Sequence, residues 1–235
     1  DKLLTGTPGQ KKFLRNAHQE VVKDEQNLVL AEPGKNLTVS LDLRLQYLAY
    51  KELKSAVSSF GAQSGSVVLL DVESGEILAM VNQPSFNPNY RNQRVLDPRA
   101  LRNRALTDVY EPGSTVKPLT VAAALETGKY SSESSIDTAP GSLKIGSLVV
   151  RDPSNRGLLN LDQVIAHSSQ VGISKLALNV DAHEVRSLFD RMGIGKTLSI
   201  GFPGEETGSL PYFRRWRDID RVTFAYGYGL TLTPT

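Results

Sequence analysis

Residues 111–118 read Glu111-Pro112-Gly113-Ser114-Thr115-Val116-Lys117-Pro118. Pro112 and Gly113 make a turn. The next segment, Leu119-Thr120-Val121-Ala122-Ala123-Ala124-Leu125-Glu126, is rich in strong helix formers, and Gly128 suits the C-terminal cap. Pro118 falls in the first turn, where a missing N–H costs least. The spacing predicts a helix that opens at Ser114. Positions i and i+3 of a helix share a face, which places the Lys117 amine beside the Ser114 hydroxyl. A serine hydroxyl is a weak nucleophile until a base stands within hydrogen-bond reach. Lysine becomes that base when burial or a neighbouring cation lowers its pKa. The free N–H groups and dipole of a helix start also favour developing negative charge. Ser-x-x-Lys recurs by chance about once in a chain of this length. The turn before Ser114 and the helix after it are what make this copy point to an activated serine.

Outward from this stretch, the pattern alternates helix and strand. Ser40 or Asp42 caps a helix whose Leu45, Leu48, Leu53, Ala56 and Val57 recur near helical spacing up to Phe60. A hairpin follows: Ser66 to Val72, a Glu73-Ser74-Gly75 turn, then Glu76 to Val81. Pro84 to Asn89 is a loop. Helix, strand, strand in that order predicts an α+β fold, an antiparallel sheet flanked by helices. Beyond the Ser114 helix, residues 128–146 are rich in serine and turn formers, and Leu148-Val149-Val150 is a short strand. Leu161 to Ala166, Val171 to Val180 and Ala182 to Met192 read as helices, the last stopped by Gly193. Residues 194–211 form a Gly-rich loop. Residues 212–222 interleave arginines with Tyr212, Phe213 and Trp216. Such interleaving suits single-stranded nucleic acid, but a net charge of only +2 favours a solvated loop around a packed tryptophan. Residues 1–38 are polar and irregular, either the end of a preceding module with a linker or an extended edge of the main domain, which then spans residues 39–235.

Composition narrows the class further. The chain has 235 residues, 40% hydrophobic and 22% charged, enough for one large domain. Without cysteine there is neither a disulfide framework nor a thiolate metal site. His18, His167 and His183 are scattered and lack metal-ligand spacing, so no metal is expected. No cofactor or phosphate-loop motif is found. No apolar run reaches the length of a membrane span, and no secretory signal opens the chain.

The run Asp108 to Pro118 resembles the acylation motif of the class B penicillin-binding proteins, most nearly the division-specific transpeptidases of Gram-negative bacteria. The likeness covers nearly the whole chain. Thr5-Gly6-Thr7-Pro8-Gly9 resembles the end of that family's N-terminal module. Ser66 to Asn82, Arg102-Asn103-Arg104, Ser168 to Leu178 and Phe224 to Leu230 match further blocks. Two departures stand out. The second motif, usually Ser-x-Asn, reads Ser168-Ser169-Gln170, an amide one methylene longer. The third, Lys-Ser/Thr-Gly on a strand, is absent, because its place falls after Thr235.

The resemblance implies acyl transfer on peptidoglycan stem peptides. Ser114 attacks the carbonyl of a D-Ala-D-Ala terminus, and the amine of a second stem peptide resolves the acyl-enzyme. Penicillins imitate the donor and leave a persistent adduct. Lys117 takes the serine proton. Ser168 relays a proton to the leaving nitrogen, although a plain helix cap is the alternative reading of that residue. The amide of Gln170 binds substrate and helps to hold Lys117, and the Ser114 N–H serves the oxyanion. Tyr226 and Tyr228 form an aromatic wall or pack into the core. The family also implies divisome proteins and a glycosyltransferase as partners, and a periplasmic domain on an inner-membrane anchor outside these residues. Two other functions share the motif: a β-lactamase-like hydrolase, and a non-catalytic β-lactam sensor or division scaffold, to which Gln170 lends weight.

Overall fold

The computed structural model describes residues 2–89 and 97–235. A one-turn helix, α1 (Lys2–Thr5), precedes an antiparallel pair, β1 (Gln10–Arg15) and β2 (Val21–Val29). Asn16 Oδ1 closes their turn by accepting from the N–H groups of His18 and Glu20, and Gln19 takes φ = 66°. These residues read as irregular because β1 buries neither face. Without a buried face there is no two-residue alternation to see.

Helix α2 (Leu43–Ser59) starts at Asp42, whose Oδ1 accepts from the N–H groups of Arg44 and Leu45. Ser40, the other candidate cap, instead donates to the Ile77 carbonyl at 2.7 Å. The expected hairpin forms from β3 (Gly65–Leu70) and β4 (Ile77–Gln83), with Asp71 Oδ1 accepting from Glu73 and Ser74 N–H in the turn. Gln46 fastens α2 to β4 by bonding both the N–H and the carbonyl of Met80, each at 2.8 Å. The outer face of α2 stays open to solvent, with Leu43 82% and Tyr47 66% exposed.

Asn82 on β4 joins this hairpin to the segment that leads to Ser114. Its Oδ1 accepts from Ser66 Oγ (2.8 Å) and from the N–H of Ala105 (2.9 Å) in α3 (Arg104–Thr107), and its Nδ2 donates to Asn103 Oδ1 at 2.8 Å. Then come α4 (Lys117–Glu126), β5 (Ser135–Asp137), β6 (Ser142–Ile145), β7 (Leu148–Arg151), β8 (Leu158–Asn160), α5 (Leu161–Ala166), α6 (Gln170–Asn179), α7 (Ala182–Arg191) and α8 (Asp218–Ala225). β5 pairs with β8 and β6 with β7, both antiparallel. Only β7 was expected among these four. The others run three or four residues, too short for a period to register.

Residues 212–222 are not one loop, since α8 begins at Asp218. Asp220 Oδ2 accepts from the backbone N–H and from Nε of Arg217, which secures a start that the arginine-rich approach conceals. Trp216 does pack, edge-on to Phe213 (4.8 Å) and Phe224 (5.1 Å). The core centres on α6, with Ile173 and Leu176 against α4, α7 and α8. Phe189 stacks on Phe224 at 5.0 Å. Each such side chain removed from water contributes about 1.5–3 kcal/mol. The domain is α+β, and among the described residues its strands form four separate antiparallel pairs.

Candidate active site

Ser114 lies three residues ahead of Lys117, in a 3₁₀ turn (Gly113–Val116) that runs directly into α4. Its carbonyl accepts from the N–H of Lys117, and its side chain is exposed. Lys117 is only 2% exposed. A buried ammonium needs acceptors, and Ser168 supplies two: its carbonyl at 2.6 Å and its Oγ at 2.9 Å from Lys117 Nζ. The spacing argument placed the amine on Ser114. Among the described residues its hydrogen bonds go to Ser168 instead, which leaves one of its three N–H donors uncommitted.

The double contact follows from the backbone. Ser168 takes φ = 50°, rare for a residue with a side chain. It ends α5 through its N–H to the Ile165 carbonyl (2.8 Å) and turns both of its oxygens toward one nitrogen. Such a conformation costs about 1–3 kcal/mol and persists only where its surroundings enforce it. The capping role belongs to the neighbour. Ser169, buried, accepts from Gly172 N–H at 2.8 Å and starts α6. Gln170 opens that helix with an exposed side chain. Its backbone N–H donates to Asp152, and among the described residues its side-chain amide does not reach Lys117.

Asp152 is the residue the sequence reading missed. It follows β7, and an aspartate before a proline reads as an ordinary turn. Its Oδ1 accepts from the N–H groups of Gln170 (2.6 Å) and Val171 (3.1 Å), and its Oδ2 accepts from Ser169 Oγ at 2.6 Å. Burial lowers the Lys117 pKa below the ordinary lysine value, and the charge of Asp152 opposes that by a smaller amount.

The loop after α8 clamps the Ser114 turn. Gly113 N–H donates to the Gly227 carbonyl (3.0 Å), Gly229 N–H to Glu111 Oε1 (2.8 Å), and Thr120 Oγ1 to the Ala225 carbonyl (2.7 Å). Glu111 is a second residue that no motif spacing had marked. The two tyrosines divide. Tyr226 is 8% exposed and belongs to the core, while Tyr228 is 49% exposed, its ring edge-on to Tyr226 at 5.6 Å. Gly227 has φ = 91°, and a Cβ there would lie 2.1 Å from the Gly113 carbonyl oxygen. Gly227→Ala is therefore expected to cost about 1–3 kcal/mol from backbone strain alone and to displace the turn that carries Ser114. Its thermal midpoint should fall by several degrees, and a variant that matched the parent would show that the clamp is dispensable.

An exposed serine on a tight turn, three residues ahead of a buried lysine that opens the next helix and bonds to a second serine, has the layout of a Ser-x-x-Lys acyl-transfer site. Residues 65–235 match the model of the penicillin binding protein transpeptidase domain, and the chain belongs to that family. It is 43% identical over 234 residues to the peptidoglycan D,D-transpeptidase FtsI of Escherichia coli (strain K12), covering 100% of this chain and 39% of that protein. It is 40% identical over 229 residues to the probable peptidoglycan D,D-transpeptidase PbpC of Pseudomonas aeruginosa, covering 97% of this chain and 40% of that one. The apo structure of the TP domain of Burkholderia pseudomallei penicillin-binding protein 3 aligns with a TM-score of 0.74 at 35% identity, over 86% of this chain and 56% of that one. The chain thus spans about two fifths of the length of these curated relatives. The family read from the motif blocks is established by these matches, and so is the fold class. No helix among the described residues is long and apolar enough to cross a membrane.

Proposed function

We propose that the protein is a serine D,D-transpeptidase that crosslinks peptidoglycan stem peptides during septal wall synthesis. The observation that carries this reading is the buried Lys117 ammonium, desolvated and held on Ser168 beside the turn that presents Ser114. In the neutral form Lys117 accepts the Ser114 proton as Oγ bonds to the penultimate D-alanine carbonyl carbon. The oxyanion is met by the Ser114 N–H. The C–N bond then breaks, and the proton passes through Ser168 Oγ to the departing D-alanine amine. The amine of a second stem peptide attacks the ester, returns its proton along the same path and releases Ser114. Gln170 and Tyr228 line the substrate side, with Tyr226 supporting Tyr228 from the core. The names of the relatives support peptidoglycan as the substrate. Residues 1–38 are the end of a preceding module, and residues 39–235 carry the Ser114-x-x-Lys117 and Ser168-x-Gln170 motifs. The domain works in the periplasm with a glycosyltransferase and divisome partners, on an anchor outside these residues.

The test is covalent. Full-length protein incubated with a penicillin should gain the mass of one drug molecule, on the peptide that contains Ser114, and keep it for many minutes. Release within seconds would make the protein a hydrolase. No adduct at all would make it a scaffold.

A further inference from the structure

Ser168 carries an unfavourable backbone conformation, and Lys117 depends on it for both of its hydrogen bonds. Something must hold Ser168 there. It is followed at once by Ser169-Gln170-Val171-Gly172, the first turn of α6, whose N–H groups have no partners within the helix. Asp152 takes those of Gln170 and Val171, and Ser169 Oγ takes that of Gly172 while donating its own proton to Asp152. One carboxylate thus accounts, directly or through Ser169, for the whole turn that adjoins Ser168. On the other side Ser168 is fixed by α5. We propose that Asp152 is a positioning residue of this site, fixing Ser168 on Lys117 through the first turn of α6 and balancing the buried ammonium with its own charge. The inference rests on the transpeptidase reading above.

The charge half of the proposal is specific to Asp152. The helices packed against α4 carry Asp162 on α5, Lys175 on α6, and His183, Glu184, Arg186, Asp190 and Arg191 on α7. Several of these are engaged elsewhere. Arg191 pairs with Glu126 at the far end of α4, Asp190 pairs with Lys196, Lys175 donates to the Asp137 carbonyl and Arg186 to that of Pro211. Asp152 is the charged group that opposes the effect of burial on Lys117. Without its charge, burial acts alone and Lys117 loses its proton at a lower pH.

Two variants of the full-length protein separate the roles, with penicillin acylation of Ser114 measured against pH. Asp152→Ala removes both cap and charge, and its acylation rate should fall roughly 100-fold, as expected when a reacting group is displaced by about an ångström. Asp152→Asn keeps an oxygen for Gln170 and Val171. Its plateau rate should recover to within about tenfold of the parent, while the acid limb of its profile moves to lower pH by up to about one unit. A purely structural carboxylate would lower the rate without moving the limb. If Asp152→Ala does not fold, the limb of Asp152→Asn still decides. An alanine variant within about threefold of the parent, or an asparagine limb superimposed on the parent's, overturns the proposal. A parent protein that is never labelled at Ser114 overturns the transpeptidase reading and this inference together. A labelled parent with indifferent Asp152 variants overturns this inference alone.

Discussion

Replacing Ser114 by alanine should abolish covalent labelling by a penicillin while leaving the thermal midpoint within about 2 °C of the parent. The two halves of this expectation come from the same geometry. The Ser114 side chain is exposed, and among the described residues its hydroxyl takes part in no hydrogen bond that holds the fold. What the residue gives the turn is its backbone: its carbonyl accepts from Lys117 N–H, and alanine keeps that bond. The clamp from Gly227 and Gly229 reaches Gly113 and Glu111, not the serine side chain. Removing Oγ therefore deletes the atom proposed to bond covalently to substrate and very little else. Labelling is read by intact mass and peptide mapping, and folding by the thermal midpoint. Undiminished labelling of the variant on another peptide would remove Ser114 from the mechanism. Lost labelling with a large fall in midpoint would mean that the hydroxyl has a structural task.

Much of this site was legible in the sequence because its parts are short-range. The turn at Pro112-Gly113 and the alanine-rich helix after it are local patterns, and α4 stands where they put it. The junction between α5 and α6 was equally readable, since each helix has its own apolar spacing and the serines fall between them. What was not readable depends on contacts between distant segments. Lys117 meets Ser168 from 51 residues away, and Asp152 meets Ser169 from 17. No spacing rule relates an aspartate after a four-residue strand to a helix that begins beyond another strand and another helix. The same holds for Glu111, whose partner Gly229 lies 118 residues on. The i, i+3 argument predicted a lysine beside the serine but could not know that burial would send the ammonium to a carbonyl. Helix α8 was hidden for a different reason. Its N-cap position holds an arginine, a residue type that does not announce a helix start.

Replacing Lys117 by arginine should lower the rate of Ser114 acylation by roughly 10²–10⁴, the range for losing an acid–base group. Arginine keeps the positive charge but cannot release its proton near neutral pH. In the parent, burial holds the Lys117 pKa below the ordinary value of 10.5. The acylation rate should therefore climb with pH as Lys117 deprotonates and level off before an ordinary lysine would. In the arginine variant that limb should vanish, leaving a low, flat profile. A second readout is independent of catalysis. Between the lowered folded pKa of Lys117 and the unfolded value near 10.5, the unfolded chain binds the proton that the folded chain has lost. Stability should rise with pH across that window. Below the window both states are protonated and the contribution is flat. The slope should be absent from the arginine variant, because guanidinium titrates outside the range. Denaturant unfolding at several alkaline pH values, parent against variant, measures it. An acylation rate within a few-fold of the parent would mean that Lys117 serves only to anchor Ser168. A retained stability slope would assign the titration to another group.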